Sequence, residues 1–66
     1  MKFEIVIRKE RVGYMLKAYK DEENEPCETM YYYDFTKLRA LEDFKMLLRR
    51  KFNLKKCYAT ITEIGK

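Results

Sequence analysis

The chain has no histidine, serine, tryptophan or glutamine. Without histidine there is no imidazole base, so neither a Ser–His nor a Cys–His nucleophile pair can be built. Two cysteines without histidine do not make a zinc site. Glycine occurs only at positions 13 and 65, each alone, so no phosphate-cradling loop is present. No apolar run approaches the ~20 residues of a membrane span. The opening "MKFEIVIRKE" has no apolar core of the kind a signal peptide carries. These absences lead to an expectation of a cytoplasmic protein that is not an enzyme. No catalytic residues, cofactor, metal site or membrane partner are expected. Lys, Glu, Tyr, Ile and Phe carry the chain, a usage that fits an AT-rich genome such as a phage, plasmid or low-GC bacterium.

What is present begins with size. The 66 residues read as a single domain. A domain this small buries only roughly 60% of its unfolded surface, and such cores often need a staple or a second copy. A homodimer is therefore expected from length alone. Cys27 and Cys57 lie in different segments and are expected as free thiols in a reducing compartment. Lys55 and Lys56 precede Cys57, an arrangement that can lower a thiol pKa, but the favoured reading of Cys57 is a small buried strand residue.

Charge is unevenly spread. Residues 36–56 hold eight Lys or Arg against Glu42 and Asp43, whereas "KDEENEPCE" at 20–28 holds five acids against Lys20. The acidic run reads as a solvated loop; its spacing is not that of an EF-hand.

Hydrophobic periodicity gives four strands and one helix. "KFEIVIR" alternates, with Phe3, Ile5 and Ile7 on one side and Lys2, Glu4, Val6 and Arg8 on the other. "KERVG" turns the chain into a second strand, "YMLKAYK", in an antiparallel hairpin. Thr, Met and tyrosines make "ETMYYYD" a third strand. A helix begins near Asp34 or Thr36; with Asp34 as N-cap, Tyr33 and Leu38 take the positions of a hydrophobic staple. Leu38, Leu41, Phe44, Leu48 and Phe52 form its apolar stripe, with Ala40 and Leu47 beside it. Arg39 and Asp43 are spaced as an i, i+4 ion pair. "CYATITEI" alternates as a fourth strand. The expected fold is α+β: a small β-β-β-α-β domain, a largely antiparallel sheet of three or four strands with one amphipathic helix packed on one face. The expected core is Phe3, Ile5, Ile7, Leu16, Ala18, Leu38, Leu41, Phe44, Leu48, Phe52, Ala59 and Ile61.

One helix covers one face of a sheet and leaves the other open. Successive strand residues point to opposite faces, so "YYY" at 31–33 must place tyrosine on the open face in either register. Tyr32 with Met30 toward the helix leaves Tyr31 and Tyr33 outside; the reverse register is the other alternative. The expected binding face comprises Tyr19, Tyr31, Tyr33, Tyr58, Lys17 and Arg8, with Lys2, Val6 and Met15 near it. A basic helix end, Arg49, Arg50, Lys51, Lys55 and Lys56, either satisfies the helix dipole in solvent or contacts phosphates.

"FEIVIRKERVGYMLKAY" resembles the first hairpin of HicB-type antitoxins: alternating strand, charged turn, Gly, aromatic, strand. "GYMLKAY" through "YYYDFTKLRALEDF" is similar in outline to the arm-binding domains of tyrosine integrases, in which a Phe-Thr pair enters the helix, as Phe35-Thr36 do here. That second resemblance implies a sheet that reads DNA. The present chain continues into a fourth strand, and no functional residue carries over from either family.

Two functions follow as expectations. One is a small interaction or regulatory protein that binds a protein partner or itself through the tyrosine face. The other is a nucleic-acid-binding module that stacks bases on the same tyrosines and uses the basic helix end.

Overall fold

In the computed structural model, which describes residues 2–21 and 23–64, the alternating segments form the strands their patterns call for. β1 (Lys2–Glu10), β2 (Gly13–Lys20) and β3 (Glu28–Tyr33) make an antiparallel meander. α1 (Lys37–Lys51) follows, and β4 (Tyr58–Ile64) returns parallel to β1. The sheet order is β3-β2-β1-β4. Two antiparallel steps leave β3 running the same way as β1. A single helix after β3 therefore delivers β4 in that same direction, across the sheet to its far edge.

Both helix ends are built from local chemistry. Asp34 adopts φ 63°, a left-handed conformation that Asp tolerates, and ends β3. Thr36, not Asp34, is the N-cap, and its hydroxyl accepts from Arg39 N at 3.2 Å. Leu38 thus falls in the first turn and does not form a staple. At the other end Asn53, at φ 55°, closes the helix with the Leu54 N–H donating to Arg49 O at 2.8 Å.

The buried core is Phe3, Ile5 and Ile7 from β1, Leu16 and Ala18 from β2, Tyr32 from β3, and Ala40, Phe44 and Leu48 from α1. Leu41, Phe52 and Ala59 pack at its margin. Two expected members lie outside it: Leu38 is 67% exposed and Ile61 39%. The cause is the seat of the helix. Its backbone comes close to β2 and β3 but not to β4. Its buried stripe is Ala40-Phe44-Leu48, and at 100° per residue Leu38 lies about 120° round from Phe44. β4 thus lies at the margin of the helix's cover: Ala59 packs against the core, and Ile61 is partly exposed. Tyr32, absent from the expected core, fills the space under α1, with its ring edge-on to Phe44 at 6.4 Å and to Phe35 at 5.0 Å.

Candidate binding face

The register settles which tyrosines are outside. Leu16 pairs with Met30 and Tyr14 with Tyr32 on the helix side; Met15 pairs with Tyr31 and Gly13 with Tyr33 on the open side. A Cβ at position 13 would run into the Tyr32 carbonyl oxygen, so only glycine lets β2 approach β3 this closely. Tyr31 and Tyr33 are 53% and 59% exposed, and their rings lie 6.5 Å apart and 8° from parallel. Residues two apart on a strand are that far apart on one face, so the stack follows from the pleat itself. Val12, 62% exposed, and Phe35, 36% exposed, stand at the same end of the sheet. The Asp34 N–H donates to Val12 O at 3.4 Å and ties that turn to the end of β3. The sequence reading missed Val12 and Phe35. Val12 looked like part of a polar turn, and Phe35 sits between two elements where no periodicity applies.

Across the open face the rows read Tyr31-Met15-Arg8-Ile64, Thr29-Lys17-Val6-Thr62, Tyr19-Glu4-Thr60 and Lys2-Tyr58. All six expected face residues share this face, but they do not form one cluster. Tyr31 and Tyr33 occupy the β3 corner; Tyr19 and Tyr58 lie toward the opposite end. Glu4 and Glu10 share the surface with Lys2, Arg8 and Lys17. The Thr62 hydroxyl donates to Glu4 at 3.3 Å, and Arg8 lies 3.7 Å from Glu10. Asp21, Glu23 and Asn24 line a groove with Tyr19 and Lys2, which brings acidic charge to that end.

The basic helix end is also divided. Lys51 is used within the fold: its Nζ donates to Cys27 O at 3.0 Å and to the Glu28 carboxylate. Arg50 faces the β3 side, in a groove with Glu28, Asp43, Met46 and Leu47. Arg49, Lys55 and Lys56 line the β4 side with Lys45, Cys57 and Tyr58. Lys45 was missed as part of that group, although its i, i+4 spacing to Arg49 was legible. Arg39 does not pair with Asp43; its guanidinium lies over the Phe35 ring, 5.9 Å from the centroid.

Three titratable groups are perturbed. Burial pushes the Tyr32 phenol up, and the charge of Asp43 adds to this. The hydroxyl is fully covered, and Asp43, though near, is not placed to accept a hydrogen bond of good geometry from it. Both cysteines are free. Burial raises the Cys57 thiol despite nearby Lys45 and Arg49. Burial likewise raises Cys27 against Lys20 and Lys51. Among the described residues no group of three or more His, Cys, Asp or Glu could hold a metal ion, and no helix is long and apolar enough to cross a membrane.

No protein-family profile matches the chain, and no curated protein or solved structure does either.

Proposed function

We propose that the chain is a small non-enzymatic interaction protein that binds a protein partner, or a second copy, through the β3 corner of its open sheet face. The observation that carries this reading is the stacked, half-exposed Tyr31–Tyr33 pair. Rigid tyrosines offer large contact area at little loss of conformational freedom, and such rings dominate interface energetics. The two rings lie 6.5 Å apart and 8° from parallel, so they present one contiguous aromatic surface to a partner.

A second reading, nucleic-acid binding, has its own favourable observation. Lys45, Arg49, Lys55 and Lys56 gather beside Tyr58 on the β4 side. Against it, that group is far from Tyr31 and Tyr33, and Glu4, Glu10, Asp21 and Glu23 interrupt the path between them.

A photo-crosslinking side chain at position 33, compared with one at the exposed Glu42 on the other side of the helix, tests the first reading in the producing cell. Adducts of discrete mass at 33 and none at 42 support it; matching patterns at both overturn it. Fluorescence anisotropy of labelled oligonucleotides at low salt tests the second. Binding that weakens with salt and with Lys55→Glu would favour it.

A further inference from the structure

Beside the tyrosine corner lies the free edge of β3. In an antiparallel pair, alternate residues bond to the neighbour and the others point away. Asp34 N–H donates to Val12 O, and the Tyr32 carbonyl points at β2 beside Gly13. Asp34, Tyr32, Met30 and Glu28 therefore bond toward β2. Thr29, Tyr31 and Tyr33 direct their N–H and C=O groups away from the sheet. β3 has no proline and no lysine to blunt this edge. Its one charged residue, Glu28, is already paired with Lys51.

Above this edge α1 shows a patterned flank. Asp43, Met46, Leu47 and Arg50 line the groove on the β3 side. Asp43 and Arg50 stand two helical turns apart, with apolar residues between them. Neither forms an ion pair with another described residue.

We infer that β3 pairs antiparallel with β3 of a second copy, about a two-fold axis perpendicular to the sheet, while the α1 flanks meet side by side. Three features select a second copy as the occupant. First, such an axis sets the two helices antiparallel, which places each Asp43 against Arg50 of the other copy around a Met46–Leu47 centre. The flank is thus complementary in charge to itself. Second, α1 lies above β2 and β3, so the two helix axes stand about two strand spacings apart, roughly 10 Å, the distance at which helices pack. Third, a register with Met30 on the axis puts Thr29 opposite Tyr31 and Glu28 opposite Tyr32. No acid then faces an acid, whereas an axis at Tyr31 would set Glu28 against Asp34. The pairing doubles the four-stranded sheet and leaves both tyrosine corners on one continuous open face. It stands apart from the partner reading above: the contact is made by backbone and by α1, not by the tyrosine rings.

The test is sedimentation equilibrium of the intact chain across micromolar to millimolar concentration, with three helix variants that all lie on exposed surface. The wild type is expected at twice the monomer mass. Asp43→Arg and Arg50→Asp each set like charges together at two symmetric places and are expected to weaken association about tenfold or more. The double variant Asp43→Arg/Arg50→Asp restores opposite charges and is expected within about threefold of wild type. Thr29→Pro removes an outward-pointing donor and is expected to give a monomer with unchanged far-ultraviolet circular dichroism. A monomer at all concentrations overturns the inference. So does a dimer whose affinity ignores the single swaps, as pairing through the β4 edge would give, or a double variant no stronger than the singles.

Discussion

The two sides of α1 meet the sheet differently. Toward β3, Tyr32 fills the space beneath the helix, its ring edge-on to Phe44, and Lys51 reaches down to Glu28 and the Cys27 carbonyl. Toward β4, Ala59 packs at the core margin but the rest of the inner strand face is open. Leu38 and Ile61 are exposed, and one described ion pair, Lys37–Glu63 at 3.0 Å, spans the gap. The same amphipathic helix is thus anchored on one side and leaves the other wet. The difference traces to side-chain size. β3 supplies Glu28, Met30 and Tyr32 to the inner face, whereas β4 supplies Ala59, Ile61 and Glu63, so the apolar members are larger on the β3 side. The helix settles where more apolar surface can be covered, and burial stabilises at roughly 25 cal/mol per Å².

The largest test of this asymmetry is a pair of truncations along the buried stripe. Phe44→Ala should cost about 3–5 kcal/mol and Leu48→Ala about 2–5. Either loss is comparable to the whole stability of so small a domain. Urea midpoints near that of the wild type for both variants would mean that α1 does not pack as described.

Next in size is the buried hydroxyl of Tyr32. At neutral pH, Tyr32→Phe removes an unpaired polar group and should be neutral or stabilising by up to ~1 kcal/mol. The pH dependence has a definite sign. The folded phenol titrates above its ordinary value near 10, so the neutral form is favoured in the fold. That contribution is fully present below pH ~10 and is lost as pH rises through the raised folded value. Above pH 10 the wild type should therefore lose stability more steeply than Tyr32→Phe in thermal melts. Destabilisation of Tyr32→Phe by more than 1 kcal/mol at pH 7 would show that the hydroxyl has a hydrogen-bond partner in solution.

Much of this architecture was legible in residue patterns. Period-two alternation in β1, β2 and β4 and the i, i+4 spacing in α1 located those elements, because one face of each is apolar; β3 was located by strand propensity. The register of "YYY" was not legible, since three identical side chains carry no alternation to read. It is set by Gly13, whose missing Cβ admits the Tyr32 carbonyl, a contact between segments that periodicity does not encode. The off-centre seat of α1 was hidden for a related reason. Leu38 extends the apolar stripe in sequence, but strand order decides whether anything stands beneath it. The candidate face was half legible: its members share one side, as alternation requires, but their division into separate corners follows from pairing alone.

Lys51 and Lys37 offer a smaller contrast between the two sides. Lys51→Ala removes two hydrogen bonds to the β3 entry, one of them to the half-buried Glu28. It should cost about 0.5–1 kcal/mol in urea melts, because the lysine itself is half exposed. Lys37→Ala breaks a pair in which both partners are well exposed, and its effect should fall to about 0–0.5 kcal/mol. A larger loss from Lys37→Ala than from Lys51→Ala would reverse the assignment of the anchored side.

The smallest effect is the most pointed, because it concerns a residue that sequence places in the core. Leu38→Ala removes the same atoms as Leu48→Ala from the same helix. Leu38 is mostly in water in the folded state, so little apolar surface returns to solvent when it is truncated. Alanine is also the better helix former, by a few tenths of a kcal/mol at most. The expected change in stability is within about 0.5 kcal/mol of zero. Measured side by side in urea, Leu48→Ala and Leu38→Ala should differ by about 2 kcal/mol or more. Equal losses at the two positions would place Leu38 under cover in solution, and α1 would then sit across the middle of the sheet rather than toward β3.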